Sequence, residues 1–450
     1  MEELKLWNKI PGETFRMKNI IYFLLLFSFA AINLYPQQSN KKTLTLNEIV
    51  SLTVKNYPLI KQAEQNVEVA NAKIKVQESF DYPVVSGAAS YTRIGPIPAI
   101  GFPGAGSFDL APANNYDAHL NAFYNVYDFG KKEAQLDFVK SYKKSAVDNI
   151  ELVKSNLAFA AAKTYYSILF IRQGISITDT DVATLDEHIN ITNKKIESGT
   201  ATDYDLLSTK VRLTDYKDSK LKLQNQLSNQ KIILRHLTGL LKKDEINTSG
   251  NLKLLTETVN IDSLIAVAFK QRPEIKLAID RENTAKLKTN IVKHGDSPDL
   301  NINLRYGLKN GFEPNLDAIR GNWAANVEVS VPIFNGFRTK NLEEESKASI
   351  NVTKTNTLNI KQEIAAEVEK AAENIQSNLE QIKTAQLKID LAEQALKRAR
   401  AQYASGVGTN LDLLDAETRL ADAKFLYLRT TYENIMHTYE LKKAVGDIIW

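Results

Sequence analysis

A stretch of this chain is written twice. Ser198-Gly199-Thr200-Ala201-Thr202-Asp203-Tyr204-Asp205-Leu206-Leu207 returns, roughly 200 residues later, as Ser405-Gly406-Val407-Gly408-Thr409-Asn410-Leu411-Asp412-Leu413-Leu414. The echo continues in register, with Arg212-Leu213 matching Arg419-Leu420, Asp215 matching Asp422, Lys217 matching Lys424 and Gly239 matching Gly446. The starts are alike too. Leu46-x-x-Ile49-Val50 leads to Tyr57-Pro58-Leu59-Ile60-Lys61, and Ile261-x-x-Leu264-Ile265 leads to Arg272-Pro273-Glu274-Ile275-Lys276. Duplication on this scale leaves few folds open: the chain must be two copies of one structural unit. The division it predicts is a leader and signal peptide over 1–35, a first repeat over 44–239, a linker over 240–260 and a second repeat over 261–446.

Each unit contains a very long helix. No proline lies between Pro112 and Pro273, nor after Pro332, and both stretches are rich in Ala, Leu, Lys, Glu and Gln. In the second, Val368, Ile375, Ile382, Ile389, Leu396 and Tyr403 fall every seven residues. Ala371, Ala385, Ala392 and Ala399 take the partner positions, with Asn378 the exception. Ala161, Ile168, Ile175, Val182, Ile189 and Ile196 are the counterparts in the first. A sustained seven-residue apolar period predicts coiled-coil packing. A helix from Gly130 to Ser198 would be about 100 Å long at 1.5 Å per residue, which a compact globular domain does not use.

Strand-like sequence lies only between the shorter helices, which end near Phe80 and Lys293, and the long ones. Asp299–Lys309 and Trp323–Ile333 alternate apolar and polar residues, as does the run from Tyr116 to Val126; Tyr82–Thr92 is weaker. Met17-Lys18-Asn19 followed by the apolar run Ile20–Ile32, interrupted only by Ser28, has the form of a signal peptide. In an exported protein, strands of this length with one apolar face and terminal aromatics (Tyr116, Tyr124, Trp323, Phe334) fit a transmembrane barrel. Four strands cannot close a barrel, and open edges are not tolerated in lipid, so the barrel must be shared between chains. Three chains would supply twelve strands. The Gly/Pro-rich segment Ile94–Ala113 reads as an extracellular loop.

The pattern resembles the TolC-like outer membrane efflux protein family over roughly residues 44–446. Its carriers are the duplication, the strand-to-helix signature Val331-Pro332-Ile333-Phe334-Asn335-Gly336-Phe337-Arg338 with its echo Tyr127-Asp128-Phe129-Gly130-Lys131, and the turn Tyr403-x-x-Gly406-x-x-x-x-Leu411-Asp412-Leu413-Leu414-Asp415-Ala416. The resemblance implies a membrane α+β fold: a homotrimer whose twelve-stranded β-barrel, four strands per chain, continues into a long helical coiled-coil tunnel. It also implies an outer-membrane location, with helices in the periplasm, and two partners, a periplasmic adaptor and an inner-membrane pump. The function expected is a conduit for efflux or type I secretion, not an enzyme. The rival reading is a coiled-coil stalk or adhesin of the cell envelope.

The candidate site is the pair of polar turns. Gly199 and Gly406 stand where helices end, as glycine prefers. The resemblance makes Gly199, Thr200, Gly406, Val407, Gly408 and Thr409 the adaptor-contacting tip. Asp412 and Asp415, at i and i+3, share a face of the returning helix. In a trimer they would form an acidic ring that attracts cations, and mutual repulsion would favour partial protonation. The first copy keeps Asp205 but has Ser208 in the second place. The resemblance assigns Asp412, Asp415 and Asp205 to the pore constriction, and Tyr403 with Asp205 to tip closure. Gly408 replaces a basic residue in that lock.

No cofactor or metal site is expected. His119, His188, His236, His294 and His437 are scattered, and each reads as a surface or lumen residue. With no cysteine there is no disulfide, thiolate ligand or lipid anchor on an N-terminal cysteine. A net charge of +4, without basic runs among aromatics, gives no case for nucleic acid.

Overall fold

A computed structural model describes residues 42–104, 106–241, 246–254 and 260–448. The expected leader and signal peptide lie outside them, as does part of the expected linker. The first half runs β1 (Lys42–Leu44), α1 (Leu46–Asn56), α2 (Pro58–Glu78), β2 (Val84–Arg93), β3 (Ala99–Phe102), β4 (Gly106–Asp109), β5 (Asn114–Tyr127), α3 (Lys131–Glu197) and α4 (Asp203–Thr238). The second runs β6 (Ile246–Thr248), α5 (Ile261–Gln271), α6 (Pro273–Lys293), β7 (Asp299–Lys309), β8 (Arg320–Ser330), α7 (Arg338–Ala404) and α8 (Asn410–Val445). Helices pair in length: 11 residues in α1 and α5, 21 in α2 and α6, 67 in α3 and α7, 36 in α4 and α8.

Local chemistry explains the breaks. Pro58 and Pro273 open α2 and α6, so each expected short helix is a pair of helices. A proline ring cannot follow a helical residue without a clash, but it fits a first turn. The long helices start from left-handed residues, Phe129 and Gly130 before α3, Gly336 and Phe337 before α7. Asp128 accepts from the backbone N–H of Gly130 (3.2 Å) and Lys132 (2.8 Å), and Asn335 from that of Arg338 (3.0 Å), capping donors the helices cannot satisfy internally.

The main sheet is antiparallel in the order β2-β5-β7-β8. β7 spans Asp299–Lys309 as expected, but β8 is Arg320–Ser330 and not Trp323–Ile333. Pro332 has no N–H for a ladder, and residues 331–335 carry no regular structure. Two small sheets went unread: β1 pairs in parallel with β6, and β3 with β4 forms a hairpin inside the segment read as a loop.

Well along the long helices, each half has its own apolar core. Ile49, Val50, Ala161 and Ile168 anchor one, Ile275, Ile364, Val368 and Ile375 the other. Along α7 the seven-residue seam holds at Val368, Ala371, Ile375, Ile382, Ala385, Leu396 and Tyr403, which are buried, while Ile389, Ala392 and Ala399 are half-buried. Along α3 it holds at Ala161 and Ile168, while Ile175, Val182, Ile189 and Ile196 are only half-buried. The fully covered row there is Thr164, Ile171, Thr178, Leu185 and Thr192. The threonines can be buried because each hydroxyl donates to a carbonyl one turn back: Ala160 (2.9 Å), Gly174 (3.0 Å) and His188 (3.0 Å).

Asn378 sits in the α7 seam, 2% exposed, and among the described residues neither amide atom has a partner. An unpartnered buried amide costs about 1–3 kcal/mol, so Asn378→Leu should raise the unfolding midpoint in detergent. A lower midpoint would show that the amide has a partner that the single chain does not supply.

Candidate functional site

The two polar turns share one construction. Gly199 (φ +73°) follows α3 and Gly406 (φ +76°) follows α7, both left-handed. A side chain at either would meet nothing within 4 Å, so both positions project freely. Thr200 N–H reaches Lys195 O at 2.8 Å, while Val407 and Gly408 N–H both reach Gln402 O at 3.0 Å. Gly408 itself is crowded: an added Cβ would lie 2.9 Å from Gln402 Cβ and 3.1 Å from Tyr403 N. Thr202 and Thr409 then cap α4 and α8 with full capping boxes.

These boxes occupy two of the acids. Thr202 N–H and Oγ1 both donate to Asp205 Oδ2 at 2.8 Å. Thr409 N–H and Oγ1 donate to Asp412 Oδ2 at 3.0 and 2.6 Å. Those bonds, the hydroxyl first and then the amide, hold the Asp412 carboxyl below the usual carboxylate range. The bias within one chain is therefore toward ionisation, opposite to that expected from repulsion. Asp415 is paired one turn on, where Arg419 Nε donates to it at 2.7 Å.

The turns lie side by side. Asn410, at the start of α8, sends Nδ2 to Asp205 O (3.1 Å), Ser208 Oγ (3.2 Å) and Thr209 Oγ1 (3.4 Å) at the start of α4. Tyr403 and Asp205, expected to act together, do not touch through their side chains. The Asp205 carboxylate serves its own helix, and Tyr403 packs on α3. Its hydroxyl is 3.4 Å from Thr192 Oγ1, Lys195 Nζ donates to its carbonyl at 2.5 Å, and that ammonium stands 4.1 Å from the ring centroid. His188 meets the ring edge-on at 5.5 Å, and its Nδ1 is 3.4 Å from Glu417 Oε2. His188 is thus buried at 3% exposure and not a surface residue. Thr192, Lys195, His188, Glu417 and Asn410 escaped the sequence reading because single polar residues on a helix read as solvated. Their only signal was difference: none has its own residue type at the matching position of the other copy.

At the far end, the sheet has two unlike faces. Val85, Tyr91, Leu120, Leu304, Tyr306, Trp323, Val327 and Val329 stand exposed on one. The other carries Asp117, His119 and Arg305, joined by contacts of 2.5 Å (Arg305 Nη2 to Asp117 Oδ2) and 2.8 Å (His119 Nδ1 to Asp117 Oδ1). Among the described residues no helix is long and apolar enough to cross a membrane, and no three His, Cys, Asp or Glu side chains are grouped to hold a metal.

Comparisons with known proteins point one way. The profile of a family described as outer membrane efflux protein matches residues 49–240 and 264–447. The chain is 20% identical over 318 residues to the outer membrane protein TolC of Vibrio cholerae, covering 70% of this chain and 73% of that one. It is 20% identical over 415 residues to the cation efflux system protein CusC of Escherichia coli, covering 88% and 85%. Among solved structures, the CmeC outer membrane channel of Campylobacter jejuni superposes with a TM-score of 0.74 at 20% identity, covering 89% of this chain and 85% of that one. The outer membrane protein VceC of Vibrio cholerae does so with 0.73 at 18%, covering 90% and 97%.

Proposed function

This chain belongs to the outer membrane efflux protein family, and from that premise we propose that three copies form the exit duct of a tripartite efflux or type I secretion machine. The carrying observation is the four-stranded sheet with an exposed apolar face and unpaired outer edges at β2 and β8. Contiguous apolar surface needs a partner or a lipid solvent, and an open edge in lipid needs a strand. Twelve strands from three chains would satisfy both. A coiled-coil stalk would leave that face in water.

The helical ends support the same assembly. Leu207, Val211, Leu221 and Ile232 on α4, and Val352, Leu387 and Leu391 on α7, are exposed in the single chain. Neighbouring protomers would cover them. At the tip, Gly199, Thr200, Gly406, Val407, Gly408 and Thr409 offer a small, projecting surface for a periplasmic adaptor, which joins the duct to an inner-membrane pump. The chain acts as a conduit, with energy supplied by the pump. Asp412 and Asp415, with Asp205, would ring the narrow end with negative charge and favour cations.

Planar-bilayer recording of the purified protein tests this reading. Wild type should give a small cation-selective conductance. Asp412→Asn/Asp415→Asn, which keeps the shape of the cap, should lower the cation preference several-fold by removing the ring's charge. A protein that is folded and inserted yet passes no current would sink the duct; unchanged selectivity in the variant would move the constriction elsewhere.

A further inference from the structure

We infer that the cavity between α3, α8 and the segment following β6 is a binding site for a small amphipathic carboxylate, with its acidic head on Lys424 and its apolar body under Leu252 and Leu254. The inference goes beyond the duct reading and does not depend on it.

The cavity measures about 370 Å³. An apolar cavity of about 150 Å³ holds one benzene, so this one has room for one or two rings or a short acyl chain. The segment following β6 forms its roof. Arg172 Nη1 donates to Thr248 O at 2.6 Å, and the Tyr165 hydroxyl donates to Ser249 O. Neither side chain lines the cavity, so the roof is held from outside it. Leu252 and Leu254 then line the space together with Ile177 of α3, Ile389 of α7 and Leu428 of α8.

The polar part of the lining selects an anion. Lys424 is the charged residue of the lining, and among the described residues its ammonium has neither a hydrogen bond nor an ion pair. Other half-buried lysines of α3 and α4 are paired: Lys131 with Asp299 (2.7 Å), Lys154 with Glu151 (3.3 Å) and Lys220 with Asp179 (2.6 Å). Gln173, Ser176 and Tyr427 add side-chain donors that also bond to nothing among the described residues. A carboxylate accepts from several donors at once and supplies the missing charge. Lys424 also acts across space on Asp181 of α3, which neither lines the cavity nor forms an ion pair with it. That neighbouring negative charge weakens the hold on an anion and gives the test a second handle.

The test uses purified full-length protein and fluorine NMR of the ligand, with protein-free detergent as the blank. The probe is para-(trifluoromethyl)benzoate. The matching benzamide keeps its shape without the charge, and the matching benzylammonium reverses the charge. The benzoate should bind roughly tenfold more tightly than the amide, the weight of one charge-assisted hydrogen bond. Lys424→Met keeps the stem and should erase that difference while leaving the amide unchanged, whereas a merely structural lysine would shift both probes together. Asp181→Asn should tighten the benzoate several-fold and the amide little. Ser176→Trp fills the space with Lys424 intact and should abolish binding of both probes, which keeps the test decisive if Lys424→Met is unstable. Benzoate held no more tightly than the amide, or held equally well by Lys424→Met and Ser176→Trp, would overturn the site, as would a preference for the ammonium. A folded, inserted wild type that binds the benzoate yet passes no current would overturn the duct and leave the site standing.

Discussion

Gly307→Val should leave the protein unable to build its four-stranded sheet. Gly307 lies in β7, an inner strand, opposite His119 of β5 and Asn322 of β8. A Cβ there would stand 2.4 Å from the Ala118 carbonyl oxygen and 2.6 Å from His119 Cβ. The first of these is backbone, which cannot rotate aside, so β5 and β7 would have to part along their ladder. Overpacking that side chains can absorb costs about 1–3 kcal/mol, and a backbone collision inside a paired sheet exceeds that range. The missing side chain also leaves room for His119 beside Asp117 and Arg305. The expected result is loss of the protein from the outer-membrane fraction, with Gly307→Ala intermediate. Gly321→Val, in neighbouring β8, is the control, since a Cβ there meets nothing within 4 Å. Wild-type insertion and thermal stability of Gly307→Val would refute the close approach.

Where residues repeat with a period, the fold was legible. The heptads disclosed the long helices, α3 falling within a residue of the expected Gly130–Ser198 span, and the alternation of Asp299–Lys309 marked β7. The failures have separate physical causes. β8 was read three residues late because Val331 and Ile333 continue the alternation past a proline that cannot pair. β1 and β6 span three residues each, too few to show a period, and they are held by Tyr165 and Arg172 of α3, which bond to the Ser249 and Thr248 carbonyls. The threonine row of α3 was missed because threonine counts as polar in a periodicity, although its hydroxyl turns back on its own helix.

The candidate site was legible in its turns and not in its contacts. Glycine and threonine at matching places disclosed two capped hairpin tips. The caps made by Asp205 and Asp412 follow from the local Thr-x-x-Asp spacing, but that Tyr403 packs on Lys195 and His188 depends on how α3 lies against α7 and α8. No local pattern carries that juxtaposition.

The same juxtaposition makes Asp181→Asn stabilising at neutral pH. Asp181 lies on α3 where it meets α4 and α8, and its Oδ2 is buried without a partner among the described residues. Burial, with Glu417 and Asp422 of α8 adding repulsion and Lys424 partly offsetting it, pushes its carboxyl up to about 6. Tyr216 of α4 shares the site, its phenol pushed up to about 12, first by burial and then by Asp181 and Asp422, with Arg212 opposing. An acid raised in the folded state binds its proton more tightly there than when unfolded. Its contribution to stability is therefore complete below about pH 4 and is lost as pH rises through about 6. Asn imitates the protonated form at every pH. The variant should exceed wild type by roughly 1–2 kcal/mol at pH 7.5, a value reduced for partial exposure, and the two should coincide near pH 4. Unfolding midpoints measured across that range decide the matter. A constant difference would mean that Asn acts by packing and not by charge, and a less stable variant at pH 7.5 would mean that ionised Asp181 finds a partner that the single chain does not supply. If the predicted convergence holds, acid should tighten the packing of α3 against α8 around Asp181.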